Sequence, residues 1–209
     1  MQITRRRFIG GIVGTACCGH SIEVSADAAM PAGGYQVLCG LQDMPSLDFA
    51  ENIREARPEA YQAVDIIAGL IGLRPEFGVL EGEFTKTYIA AAVTRNNRRY
   101  VVLDAKWFLL GENKIPWYAI YILGHEVGHH ILGHTHDFMP DRIQGELDAD
   151  RFGGWAVARL GGTLDQALSF MSSLSEDGGL THPPRSKRIE ATMDGWRAGQ
   201  AYDQRRVPW

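Results

Sequence analysis

Apolar residues recur along this chain with two different periods. After Pro58, a favourable first helical residue, Tyr61, Val64, Ala68 and Ile71 return every three or four positions. One face of a helix over residues 59–71 is therefore buried, and the helix should stop near Gly72 with Pro75 beyond. Ahead of it, Pro45 and Ser46 open a second stretch, 47–57, that also reads as helix. Residues 88–94 and 99–103 are instead runs of β-branched, aromatic and small apolar residues. They read as two strands joined by a tight turn around Asn96 and Asn97, since asparagine tolerates left-handed backbone. Asp104 can cap a short helix over 105–110 that ends at Gly111. Pro116 starts a long helix reaching about Leu132, bounded by Gly133, and two more helices are expected over 144–160 and 185–198. The expected fold is α+β, mostly helical, with one small sheet. No repeat and no Pro/Gly/Ser linker divides it.

The first residues follow another logic. Arg5, Arg6 and Arg7 precede a short Gly-rich apolar run and then the small residues Ser25, Ala26, Ala28 and Ala29. That order is the pattern of an export signal, and Thr4 through Ile9 resembles the twin-arginine motif. Residues 1–28 are expected to be a signal peptide and 29–209 one domain, exported and periplasmic; alternatives are secretion or a lipid anchor at Cys17. Beyond the leader, Cys39 is the sole cysteine and reads as a small core residue. No run reaches the ~20 apolar residues of a membrane-spanning helix. A net charge of −4 argues against a nucleic-acid partner.

The chemistry concentrates in Gly124-His125-Glu126-Val127-Gly128-His129-His130. His125 and His129 are four residues apart, so on a helix they project only ~40° from one another and can ligate one Zn²⁺. Glu126 stands beside them, placed to take a proton from water held by the metal. Gly124 and Gly128 weaken the helix and suggest that another element packs closely against it. A peptidase zinc needs three protein ligands and an open position. Glu146 can be the third, and Asp150, on the same helical face, can fix the tautomer of a ligand imidazole. Asp148 points away and reads as solvated surface. His130 (~100° off the ligand face), His134 and His136 read as structural, Tyr118 and Tyr121 as core or rim, and Trp155 and Trp196 as packing residues.

Three blocks in order, His125-Glu126-Val127-Gly128-His129, Glu146-x-x-Ala149-Asp150, and Thr181-His182-Pro183-Pro184 followed by Arg188-Ile189, resemble metallopeptidase family forty-eight. This is the gluzincin group that includes HtpX, BepA and the CAAX prenyl proteases. The resemblance spans roughly Tyr61 to Ile189. It implies a zincin-like core, one Zn²⁺ per chain held by His125, His129 and Glu146, and Glu126 as general base. It also implies an edge strand above the metal helix that binds an extended peptide, with Ala90, Ala91, Ala92 and Val93 in that place. His182 would hydrogen-bond the oxyanion or take the open metal position; Arg188 would pair with Asp150 or Glu126. The expected activity is a zinc metalloendopeptidase acting on extended or unfolded polypeptide. The alternative is a zinc-containing, chaperone-like protein that binds clients without cutting them.

Overall fold

The computed structural model describes residues 24–25, 36–41, 50–73, 77–84, 88–95, 97–106, 115–135, 141–179 and 182–204. The elements are β1 (Val24–Ser25), β2 (Gln36–Leu41), β3 (Ala50–Glu55), α1 (Pro58–Gly69), β4 (Phe77–Phe84), β5 (Tyr88–Arg95), β6 (Arg98–Asp104), β7 (Ile115–Pro116), α2 (Trp117–Ile131), α3 (Arg142–Arg159), α4 (Leu164–Leu168) and α5 (Arg185–Gln204). Apart from Val24–Ser25, which pairs with β7, the expected leader with Cys17 lies outside the described residues. So do 107–110 of the expected short helix, His136 and Thr181.

The hairpin β5–β6 forms as expected, with Asn97 in left-handed backbone at φ 59°. It sits inside a larger sheet than the sequence suggested, five strands in the order β2-β5-β6-β4-β3. Two pairings, β2 with β5 and β4 with β6, are parallel; the others are antiparallel. Residues 50–55, expected to be helical, are strand β3. Its long-range pairing with β4 overrides local propensity and is reinforced by Arg54, whose guanidinium lies 2.7 Å from Glu81 of β4. Arg57 adds a second hydrogen bond to the same carboxylate at 3.1 Å. Burial alone would raise the Glu81 pKa, but the two arginines hold it below its usual value.

A further expectation fails at β5. Ala90, Ala91, Ala92 and Val93 do not form an open edge, because β2 pairs along that side with Leu38 opposite Ala91 and Leu41 opposite Val93. The register shifts between these two pairs, opposite Ala92. All four residues are fully buried. Their side chains alternate between faces, as a strand requires. Ala90 joins Val101 and Leu103 in the main core under the helices, while Ala91 and Val93 pack with Val102 and Phe84 on the other face.

Helix α1 begins at Pro58 and buries Ala60, Val64, Ile67 and Ala68; Ile71 falls beyond its end and is exposed. Helix α2 crosses the sheet over β5 and β6, and every residue from Trp117 to His130 is buried. A helix enclosed on all sides must have neighbours that come close, and α2 has them. Gly124 faces the backbone of Gly153 and the side chain of Ala156; Gly128 faces Ala149 and Phe152, all from α3. Helix α5 then packs on α3 so closely that a methyl at Gly195 would collide with the Arg151 carbonyl oxygen. This three-layer contact sets the site between α2, α3 and the start of α5. No helix among the described residues is long and apolar enough to cross a membrane.

Candidate metal centre

Two helices bring the site together. His125 and His129, one turn apart on α2, turn their Nε2 atoms toward each other at 3.1 Å. Glu146, in the first turns of α3, places its carboxylate oxygens 3.6 Å from each of those nitrogens. The start of α3 is fixed by Asp141, whose side chain accepts from the Gln144 N–H at the helix N-terminus. One ligand atom from each of the three residues lies within 4.8 Å of the others, and all three residues are buried. Such a cluster could hold a metal ion.

Each imidazole is gripped from behind. His125 Nδ1 lies 2.9 Å from Asp150 Oδ1. Asp150 is in turn held by Arg188 through two hydrogen bonds of 2.7 and 2.6 Å, and by the Tyr121 hydroxyl, which donates to it. Thr192 of α5 reaches the same hydroxyl at 3.4 Å. Of the two partners the sequence left open for Arg188, the structure selects Asp150. Burial by itself would raise the Asp150 pKa, and the Arg188 ion pair reverses this and holds it far below the carboxylate range. On the other side, His129 Nδ1 lies 3.0 Å from His134 Nδ1. Burial lowers the pKa of both ligand histidines, so both are neutral at neutral pH, the state a metal needs.

Glu126 is completely buried, with neither carboxylate oxygen hydrogen-bonded among the described residues. The Ala92 backbone in β5 lies near enough to favour its anion but short of hydrogen-bond geometry. Burial and then the Glu146 charge push its pKa well above the ordinary carboxylate value. The charge inventory is informative. Glu126, Glu146 and Asp150 are buried carboxylates facing one buried guanidinium, Arg188. With neutral histidines, the carboxyl groups of the site outnumber its cation, so a metal cation would complement them and favour the Glu126 anion, and buried charges in proteins are paired or coordinate metals. Two imidazoles and a carboxylate are also a donor set suited to zinc with an open position.

His182 lies at the rim, one quarter exposed, with its Nε2 4.0 Å from Glu146 Oε2. Its turn is pinned by the Gly179 N–H, which donates to the His182 carbonyl at 2.8 Å. His130 is structural, as expected: its ring bonds the Thr135 hydroxyl and the Tyr100 carbonyl and stacks on Phe77. Asp148 bonds Gln144 and Arg151 at the surface and reaches His134 through its charge, and Trp155 and Trp196 pack against the core. The sequence reading missed two residues. Tyr121, taken for core or rim, supports Asp150, and no local pattern could reveal a partner 29 residues away. His134, which the spacing reads as structural, touches His129 of the candidate centre, and its position just after Gly133 is a usable signal. Compared with known proteins, the chain matches no family model, no curated protein and no solved structure, so its family resemblance rests on the three sequence blocks alone.

Proposed function

We propose that this chain is a zinc-dependent endopeptidase of gluzincin type that cleaves extended or unfolded polypeptide. The observation that carries the reading is the convergence of His125, His129 and Glu146 with a buried carboxylate, Glu126, next in sequence to the first ligand. A zinc ion held by these three residues would acidify water to a pKa near 7 and polarise a peptide carbonyl. The remaining work falls to the chain's own groups. Glu126 has the raised pKa of a group that can take up a proton and return it to the leaving amine. Asp150 and Arg188 hold His125 in place. His182, at the accessible rim, is the group to donate toward the developing oxyanion. The same closeness of His182 to Glu146 also suits the second reading, a client-binding zinc protein whose open metal position His182 fills.

The test is Glu126→Gln. It should retain stoichiometric zinc while losing cleavage of unfolded casein by about 10²–10⁴-fold, the usual contribution of a general base. Undiminished cleavage overturns the peptidase reading; a zinc-loaded wild type that binds casein but never yields fragments establishes the second one.

A peptide added as a strand gains main-chain hydrogen bonds along a sheet edge. The side of β5 away from β6 is covered by β2, so a substrate strand there has to displace β2. Its parallel direction is opposite to that expected of a substrate running antiparallel to β5. Leu38→Pro, which weakens the β2–β5 ladder by about one hydrogen bond, should raise casein cleavage about fivefold. An unchanged rate would place the substrate elsewhere.

A further inference from the structure

Helix α2 does not simply stop. The Gly133 N–H bonds the His130 carbonyl and the His134 N–H bonds the His129 carbonyl at 2.9 Å, with Gly133 in left-handed backbone at φ 81°. These two bonds define a Schellman cap, in which the residue after the glycine folds back over the residue five positions earlier. At that pair of positions a Schellman cap frequently places two apolar side chains in contact. Here they are His134 and the metal ligand His129, ring against ring at 5.1 Å. The helix terminus thus delivers a second imidazole to the back of the first.

Two proton arrangements of the row His134, His129, His125 keep the His125 Nδ1–H directed at Asp150, and only the first places a hydrogen bond on both contacts of the row. In one, His134 Nδ1–H donates to His129 Nδ1, and His129 Nε2–H donates to His125 Nε2. That arrangement places a proton on the lone pair a metal would need. In the other, His129 Nδ1–H donates to His134 Nδ1, and both ligand Nε2 atoms are bare. Moving between them shifts the shared proton across the Nδ1–Nδ1 contact. His134 gains a proton at Nε2 as His129 releases its own, so the total is unchanged.

We infer that His134 is a positioning residue: by accepting from His129 Nδ1–H it holds this ligand in its metal-binding tautomer and orientation. This rests on the metal site proposed above and assigns that site a fourth histidine that does not touch the ion.

The test is zinc affinity, measured by competition with a chromophoric chelator, together with the visible bands of the Co²⁺-substituted protein. His134→Leu supplies the apolar contact a Schellman cap ordinarily has and removes only the acceptor. His134→Asn keeps an acceptor close to the Nδ1 position. The leucine variant should bind zinc about 10–100-fold more weakly and shift the cobalt bands, as losses behind a ligand histidine do. The asparagine variant should stay within a few-fold of wild type. Wild-type affinity in His134→Leu, or equal losses in both variants, overturns the inference while leaving the metal site standing. Failure of the wild type to take up zinc overturns the site itself. Nitrogen-15 spectra of the zinc-loaded wild type decide without mutation: His129 should carry its proton on Nδ1 and His134 on Nε2. A proton on His134 Nδ1 overturns the inference.

Discussion

The two histidines of the candidate metal centre occupy equivalent places one turn apart, yet they are backed by opposite kinds of chemistry. Behind His125 stands a buried ionic assembly, Asp150 with Arg188, joined by Tyr121 and Thr192 and drawn from three helices. Behind His129 stands one neutral ring from the cap of its own helix. The first support exists only once α3 and α5 have docked, because Asp150 and Arg188 are 38 residues apart. The second comes with the end of α2. The difference teaches that a single candidate site can be tied to global packing through one histidine and to local backbone geometry through the other.

This contrast can be broken most forcefully at Arg188. Arg188→Met leaves Asp150 buried without its cation, a change that ordinarily destabilises by about 3–5 kcal/mol. Thermal unfolding should show a large loss of stability, with zinc affinity falling in parallel; a variant as stable as wild type would mean that the assembly contributes little to docking α5. The matching change on the other side, His134→Leu, should alter unfolding far less than it alters zinc affinity, and equal damage on both measures would erase the distinction between the two supports. Smallest of all is Asp148→Ala, whose carboxylate bonds the surface residues Gln144 and Arg151 and acts on His134 through charge alone. It should change stability by no more than about 0.5 kcal/mol and leave zinc binding intact. A large effect there would move the boundary of the ionic assembly outward.

What could be read from sequence divides along the same line of local against distant. Helices α1, α2, α3 and α5 and the β5–β6 hairpin announce themselves through spacing and turn residues, and the metal cluster follows because its ligands lie four apart on α2 with Glu146 opening the next helix. Strands β2, β3 and β4 do not, since their partners lie far away in the chain. Phe77–Phe84 carries two glycines and two glutamates that blur any alternation, and Glu81 can be buried only because Arg54 and Arg57 reach it from other elements. The same blindness made Ala90–Val93 look like an open edge. His134 is the instructive exception: the H-x-x-x-G-H ending of α2 carries a local signal for a cap that pairs His129 with His134, although its spacing alone reads as structural.

The cluster of buried carboxyl groups on Glu126, Glu146 and Asp150 bears on folding as well. If a dication completes this site, its binding free energy adds to folding free energy, and each tenfold rise in free metal above the dissociation constant contributes about 1.4 kcal/mol. The surviving amount of this protein in a cellular compartment would then follow the local zinc supply, with housekeeping proteases clearing the metal-starved chains first.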